Sequence, residues 1–382
     1  MKILFTGGGT GGHFYPIIAI AQAINDKVKE KKILMPKLYY MAPSRYNPRA
    51  LFDNEIEFIQ VPAGKIRRYF SILNFIDVFK TIYGVAVAII KMYNIYPDIV
   101  FGKGGYGSFP ALLAAKILRI PIVIHESDSS PGKVNSWAAG FAQKIAVSYP
   151  EAAEIFAEND KNNVVKTKIA FTGNPIRKEV VIPLENGARE FLNLEEQTPT
   201  ILVLGGSQGS QNINDIIIDS IGELVNKYQI IHQTGRKNWN IVKDTAEIVL
   251  KDNMNAHRYH PFDYLNDLSM RMSAGVSDIV ISRAGSAIFE ISAWGLPSII
   301  IPLRKEISHD QMKNAFSYAH SGACTVIEEH NLTSHILISE IDRIMNNKHI
   351  MDKMRQSAKE WSHTDASSKI AEVILEIGLK HE

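Results

Sequence analysis

Lys2 to His13 reads KILFTGGGTGGH, and Thr200 to Asn212 reads TILVLGGSQGSQN. Each is an apolar run that ends in glycines and passes into a helical pattern. A buried parallel strand that feeds a helix through glycine-rich backbone turns main-chain N–H groups and a helix N-terminus toward an anion. A third cluster, FGKGGYGSFP over Phe101 to Pro110, also leaves a strand and enters a helix. Open α/β sheets bind ligands beyond the carboxyl ends of their strands. Gly104, Gly105 and Tyr106 are therefore expected on the same rim as His13 and as His125-Glu126-Ser127-Asp128.

In the second half, SRAGSAIFEISAWGLP spans Ser282 to Pro297. Ala284-Gly285-Ser286 turns the chain, and Gly295 and Pro297 end the helix that follows. Glu290, one turn inside that helix, is a bidentate acceptor suited to two ribose hydroxyls, or else a surface glutamate. RKEISHDQMKN, from Arg304, is rich in groups that pair with sugar hydroxyls, and Gly205-Gly206-Ser207 would hold phosphate oxygens. Gly7, Gly9 and Gly12 match G-x-G-x-x-G, but a nicotinamide site needs an acid after the second strand, where this chain has Ala42-Pro43-Ser44. The P-loop pattern, D-x-D and metal-ligand spacing are missing. A bound diphosphate is then expected to be held by glycine amides, helix N-termini and cations such as Arg177, with no cofactor and no metal.

These loops need two scaffolds. The order strand, helix, strand predicts an α/β chain of two doubly wound, Rossmann-like domains with parallel sheets and a cleft between them. In the first half, strands are expected at the N-terminus, Leu38 to Met41, Phe58 to Val61, Ile99 to Phe101, Ile122 to His125 and Ile145 to Val147, the last completing the sheet. Helices are expected over Phe70 to Tyr93 and Pro110 to Leu118. In the second half, strands are expected over Ile201 to Leu204, Ile230 to Gln233, near Arg258, and over Ile279 to Ser282, Ser298 to Ile301 and Thr325 to Ile327. A closing helix covers Lys369 to Ile377. FTGNPIR, Phe171 to Arg177, is the expected hinge.

The 382 residues suffice for two cores, and 46% hydrophobic with 21% charged residues is ordinary globular composition. The net charge of +2 gives no general attraction to nucleic acid. Cys324 is the only cysteine, so no internal disulfide forms, which fits a reducing compartment. The N-terminus enters a strand too early for a secretory signal, and no apolar run reaches the ~18 residues of a membrane span.

GGGTGGH, GKGGYGSFP, HESDSSPG, TGNPIR, GGSQGSQNIN, SRAGSAIFEISAWGLP and HDQMKNA, in this order, resemble the MurG family across essentially the whole chain. That resemblance implies the glycosyltransferase-B fold, with residues 1–176 as an acceptor and membrane-docking domain and 177–362 as a UDP-sugar domain. A helix over 363–382 would return to the first domain. The implied reaction is inverting transfer of N-acetylglucosamine from UDP-N-acetylglucosamine to the 4-hydroxyl of a muramoyl-pentapeptide on undecaprenyl diphosphate, turning lipid I into lipid II.

Carried over by motif, Thr10, Gly11 and Gly12 lie beside the donor sugar and diphosphate, and Arg177 and Ser207 contact the nucleotide-sugar. A backbone group near Leu265 reads uracil, and Ser286, Ala287 and Ile288 flank the donor. Glu290 holds the ribose, Gln311 and Asn314 contact sugar hydroxyls, and Gly104, Gly105 and Tyr106 form the acceptor-diphosphate loop. Asp128, at a substrate-binding position, stands where many relatives have Asn, and the Asp263 to Asp278 segment is about two residues longer than usual.

Such a displacement needs a base for the hydroxyl proton and donors for the leaving diphosphate. His13 is the first choice of base, with Glu126 or Asp128 as the alternative, and phosphate binding is the other role for His13. A lipid-linked acceptor implies peripheral attachment at the cytoplasmic face of the membrane, with other cell-wall synthesis proteins as candidate partners. Lys65, Arg67 and Arg68, then Tyr69-Phe70 and an apolar helix through Ile72, Phe75, Phe79, Ile82 and Ile89, suit an anionic lipid surface. Rival readings are a UDP-N-acetylglucosamine 2-epimerase, a transferase for another glycolipid, and a non-catalytic nucleotide-sugar sensor.

Overall fold

A computed structural model describes every residue except 9, 66–71, 159–164, 207–208, 305–307 and 382, with backbone alone for 72–74 and 309. The chain divides into two compact units, Met1–Arg177 with His363–Glu382, and Lys178–Ser362. In the first unit β1 (Lys2–Thr6), β2 (Lys37–Ala42), β3 (Ile56–Gln60), β4 (Ile99–Gly102), β5 (Ile122–Glu126), β6 (Lys144–Val147) and β7 (Ile169–Phe171) form one sheet. Its order is β3-β2-β1-β4-β5-β6-β7, and its pairings are parallel. The intervening helices are α1 (Gly11–Glu30), α2 (Pro48–Asp53), α3 (Ile72–Ile95), α4 (Phe109–Ile117), α5 (Lys133–Ala139) and α6 (Pro150–Glu158).

In the second unit α7 (Lys178–Val181) and α8 (Ala188–Phe191) precede β8 (Thr200–Leu204), α9 (Gln211–Leu224), β9 (Gln229–Gln233), α10 (Trp239–Val249) and β10 (Tyr259–Phe262). Then come α11 (Asp267–Val276), β11 (Ile279–Ser282), α12 (Ala287–Trp294), β12 (Ser298–Ile300), α13 (His309–His320), β13 (Cys324–Val326), α14 (Ser334–Met345) and α15 (Lys348–Trp361). The strand order is β10-β9-β8-β11-β12-β13, again parallel. The last helix, α16 (Ala366–His381), belongs to the first unit.

Strands covered on both faces need apolar side chains on both sides, which is why β1 and β8 read as unbroken apolar runs. Ile3 and Phe5 enter the layer beneath α1 and α16, while Leu4 enters the layer beneath α3 and α4. Ile17, Ile18, Ala21 and Ile24 of α1 meet Ile370, Ala371 and Ile374 of α16 in the first of these layers. Thus α16 fills one face of the first sheet.

β7 corrects the expectation that β6 completes that sheet. Ile169-Ala170-Phe171 is short, and Phe171 is exposed, so it lacks the apolar run that marks the buried strands. The strand expected near Arg258 begins at Tyr259, after a short 3-10 turn. The first two residues of the helix expected over Phe70 to Tyr93 lie outside the described residues, and α3 runs on to Ile95.

Each sheet order reverses direction once, between β1 and β4 and between β8 and β11. Loops at such a switch point diverge and leave a crevice at the strand ends. The loops there are Gly7–Thr10 and Lys103–Gly105 in one unit, and Gly205–Ser210 and Arg283–Ser286 in the other.

Candidate functional site: two glycine-lined rims

At the first rim the two glycine loops touch through backbone. A Cβ on Gly8 would lie 3.0 Å from the Gly107 Cα, and one on Gly105, whose φ is +78°, would lie 2.8 Å from the Gly8 carbonyl oxygen. Side chains would part the loops, so glycine here reflects close approach as well as turning. Thr10 is extended and α1 starts with no side-chain cap; the His13 amide donates to the Thr10 carbonyl at 3.2 Å, so the Gly11 and Gly12 amides are the ones placed to meet an anion. His13 lies in that first turn. Its Nδ1 is 3.0 Å from the Thr10 hydroxyl, and its Nε2 is 3.4 Å from where a Gly105 Cβ would stand. Burial, then the Lys103 charge, lowers its pKa to about 4 against an upward pull from Asp128, so the ring is neutral at pH 7.

Beneath this loop lies a buried network that the sequence reading did not assign. Lys103, directly after β4, is 1% exposed. Its ammonium donates to His125 Nδ1 (2.6 Å), Ser127 Oγ (2.7 Å) and Asn174 Oδ1 (3.0 Å), which accounts for all three N–H bonds. His125 passes the chain on, its Nε2–H donating to the Gly173 carbonyl at 3.0 Å. One side chain therefore ties together the carboxyl ends of β4, β5 and β7. Burial pulls the Lys103 pKa down to about 7 while Glu126 and Asp128 pull it up. The available signal was a lysine inside a glycine loop, one residue past a strand.

Glu126, expected as the alternative base, is 5% exposed and already engaged. Its Oε1 accepts the Ser127 and Asp128 amides at 2.8 and 3.1 Å, and its Oε2 accepts the Gly132 amide and Asn135 Nδ2, each at 2.9 Å. Burial and the neighbouring Asp128 push it up to about 7, against these donors. Its place is that of a clamp closing the loop from Ser127 to Gly132. Asp128 is half-buried on that loop, within electrostatic reach of His13, Lys103 and Glu126. Gly104 packs on Asn135, Tyr106 begins the turn into α4, and Arg177 lies over the Tyr15 ring at 4.1 Å.

At the second rim Ser207 lies outside the described residues. Around it, Gly206 has a φ of +81°, and Cβ atoms on Gly206 and Gly285 would meet nothing within 4 Å, so both backbones face open space. Ser210 caps α9, and Arg283, the residue after β11, holds that cap by donating to Ser210 Oγ at 2.6 Å. Arg283 also pairs with the buried Glu329 at 2.6 Å, whose second oxygen meets Arg304 at 3.2 Å. Burial pushes Glu329 up, but hydrogen bonds from Arg283 and Asn212 and the two arginine charges hold it below the usual carboxylate range. This ion pair, which fixes the spacing of the glycine loop and the Arg283–Ser286 turn, was also not assigned from sequence.

Ser286 starts α12 without a side-chain cap, and Ala287 and Glu290 are half-buried on its first turn. Ile288 and Leu265 have buried side chains within the core, so only their backbones could meet a ligand. The Leu265 N–H already donates to Gln233 Oε1 at 3.0 Å, and Gln233 Nε2 reaches the Gly206 carbonyl at 3.3 Å. Gln311 accepts the Leu303 amide at 3.2 Å, and Asn314, 1% exposed, donates to the Ala284 carbonyl at 3.2 Å. Both amide side chains brace the loops around Gly285 and Leu303. Among the described residues no group of three or more His, Cys, Asp or Glu could hold a metal ion.

Comparison with known proteins gives this arrangement a family. The glycosyltransferase family 28 N-terminal domain model matches residues 3–147, and the C-terminal domain model matches residues 200–372. A UDP-N-acetylglucosamine–N-acetylmuramyl-(pentapeptide) pyrophosphoryl-undecaprenol N-acetylglucosamine transferase of Treponema denticola is 37% identical, covering 85% of this chain and 83% of the relative. A Clostridium kluyveri protein of the same name is 34% identical over 98% of both chains. Among solved structures, MurG of Acinetobacter baumannii superposes with a TM-score of 0.70 at 21% identity, covering 98% of this chain and 99% of the other. A putative UDP-N-acetylglucosamine 2-epimerase of Listeria monocytogenes also reaches 0.70, at 16% identity, covering 100% of this chain and 97% of the other. Fold alone therefore does not separate transferase from epimerase, whereas the sequence relatives do. With both domain models matched and near-full-length relatives above 30% identity, the chain belongs to glycosyltransferase family 28, in its MurG group.

Proposed function

We infer that this chain is an inverting hexosyltransferase that moves N-acetylglucosamine from UDP-N-acetylglucosamine to the muramoyl-pentapeptide on undecaprenyl diphosphate, in peptidoglycan synthesis. The observation that carries the reading is similarity along nearly the whole chain to transferases named for that reaction. Glycine loops at the switch point of each sheet support it, because both substrates carry a diphosphate.

The acceptor 4-hydroxyl oxygen bonds to the anomeric carbon as the bond to UDP breaks, its electrons leave on the diphosphate, and the hydroxyl proton passes to a base. His13 is that base. The role requires the tautomer in which Nδ1–H donates to the Thr10 hydroxyl, 3.0 Å away, so that the Nε2 lone pair takes the proton, and the lowered pKa keeps the ring neutral. Thr10, Gly11, Gly12 and Gly104 to Tyr106 line the same rim, and their amides suit diphosphate oxygens. Within the stretch from Gly206 to Gly209, the Gly206 amide and Ser207 are the donors proposed for the departing UDP, since the Gly209 amide is taken by the Gly206 carbonyl, and Arg177, carried in the first unit, is the cation proposed for its diphosphate. Ser286 and Ala287 offer uncapped helix amides, Glu290 holds the ribose hydroxyls, and the Leu265 carbonyl accepts from uracil. Asn314 and Gln311 act chiefly by bracing the sugar-side loops, and Glu126 by holding the Asp128 loop.

The acceptor lipid places the work at a membrane, peripherally and on the cytoplasmic face. Phe75, Ile76, Phe79, Ile82 and Tyr83 of α3 are all more than half exposed, and among the described residues no helix is long and apolar enough to cross a bilayer. Lys65 precedes this face, while Arg67, Arg68, Tyr69 and Phe70 lie outside the described residues. Other cell-wall synthesis proteins are the candidate partners.

Mass spectrometry after incubation with UDP-N-acetylglucosamine and a short-chain acceptor analogue tests the function. The analogue should gain one N-acetylhexosamine. Conversion of the donor to an isomer of the same mass, resolved by NMR, with the acceptor unchanged, would show an epimerase instead.

A further inference from the structure

A cavity of about 630 Å³ opens beside the first rim, between α3, the start of α4 and α5. Its walls are mainly apolar, with Val78 and Ile82 from α3, Phe109 from α4, and Val134 and Trp137 from α5. Thr81 also lines it, but its hydroxyl donates to the Asp77 carbonyl and accepts the Gly64 amide, so this polar group is turned to protein partners. The volume is that of a small-molecule pocket, not of a packing defect. One end is formed by Gly105 and Tyr106 of the glycine loop, with the exposed Lys133 at the rim. At the other, Ile82 belongs both to the cavity and to the exposed apolar face of α3. A loop with the geometry to bind a diphosphate, a cation, an apolar trough and an apolar surface thus follow one another without a break.

We propose that this cavity receives the first isoprene units of the polyprenyl-diphosphate acceptor, carrying them from the diphosphate at the glycine loop to the α3 face, where the rest of the chain enters the bilayer. The proposal rests on the transferase reading above and adds a lipid-chain subsite to it. Its occupant follows from continuity: an acceptor whose diphosphate lies on Gly104 and Gly105 has its apolar chain attached there, and the adjoining surface is the apolar wall of Phe109 and Trp137, which pack with ring centroids 5.0 Å apart. Burying those methyl and methylene groups in protein is favourable wherever water is the alternative.

The test uses the full chain in detergent-free buffer, with muramoyl-pentapeptide diphosphates bearing one, two, three or four isoprene units. KM should fall about tenfold for each of the first two or three units, as apolar area leaves water, and then level off. Val78→Trp and Val134→Trp fill the cavity from two different helices. Each should flatten that dependence while leaving turnover of the one-isoprene acceptor at saturation. Phe79→Ser, on the outer face of α3, should keep the dependence and reduce binding to anionic vesicles. A wild-type KM independent of chain length, or a dependence that both tryptophan variants retain, overturns the subsite. Failure of every acceptor to be glycosylated would instead overturn the transferase reading. Fixed stoichiometric self-association that both tryptophan variants abolish, with chain-length dependence unchanged, would assign the cavity to a second copy of the chain.

Discussion

Charge at the first rim is balanced among four residues, and that balance controls what His13 can do. Lys103 lowers the His13 pKa and Asp128 raises it, so the two should move the acid limb of kcat/KM in opposite directions. The role of base proposed for His13 requires a neutral ring. In the wild type kcat/KM should therefore hold as pH falls below neutrality and decline only toward about 4. Lys103→Met removes a buried positive charge and should shift this limb upward by about one pH unit. Asp128→Asn should shift it downward. A limb that stays fixed in both variants would mean that another group is the base. His13→Ala should reduce kcat by about 10²–10⁴-fold, with UDP-N-acetylglucosamine binding by calorimetry unchanged. His13 stood out in the sequence as a titratable residue ending a glycine run. Lys103 did not, because a lysine reads as a surface charge until the fold shows three acceptors around it.

Between elements, glycine fixes distances. Gly84 lies inside α3, and a Cβ there would stand 1.8 Å from the Pro62 carbonyl oxygen, while one on Gly64 would stand 2.0 Å from that of Asp77. These contacts set α3 against the loop after β3 and so help to shape the cavity wall. Gly84→Ala should cost roughly 1–3 kcal/mol through overpacking. Gly222, inside α9 with nothing within 4 Å of its Cβ position, should instead gain about 0.4–1 kcal/mol on Gly→Ala. Thermal denaturation of the two variants, moving in opposite directions, checks the pair. Buried strands and long helices were legible because each carries its own apolar pattern. β7 was not, since its pairing with β6 is decided by the neighbouring strand more than by its own three residues. The bracing roles of Gln311 and Asn314 were likewise hidden, as an amide suits a sugar hydroxyl and a backbone carbonyl equally well.

For the whole molecule, the two sheets repeat one solution: a glycine loop at the switch point, locked from below by a buried cation. Lys103 does this in one unit, and Arg283 with Glu329 in the other. The exposed aromatic face of α3 belongs to this scale because the partner proposed for it is a surface. Phe75→Ser combined with Phe79→Ser should lower partition onto anionic vesicles while leaving turnover of a soluble acceptor intact, as measured by co-sedimentation and UDP release. The measurement that bears most directly on the account is the rate of UDP release from UDP-N-acetylglucosamine with and without a short-chain lipid I analogue. Release that depends on the analogue, and collapses in His13→Ala while donor binding persists, is the predicted result. Release that ignores the acceptor, or donor loss with no UDP, would contradict it.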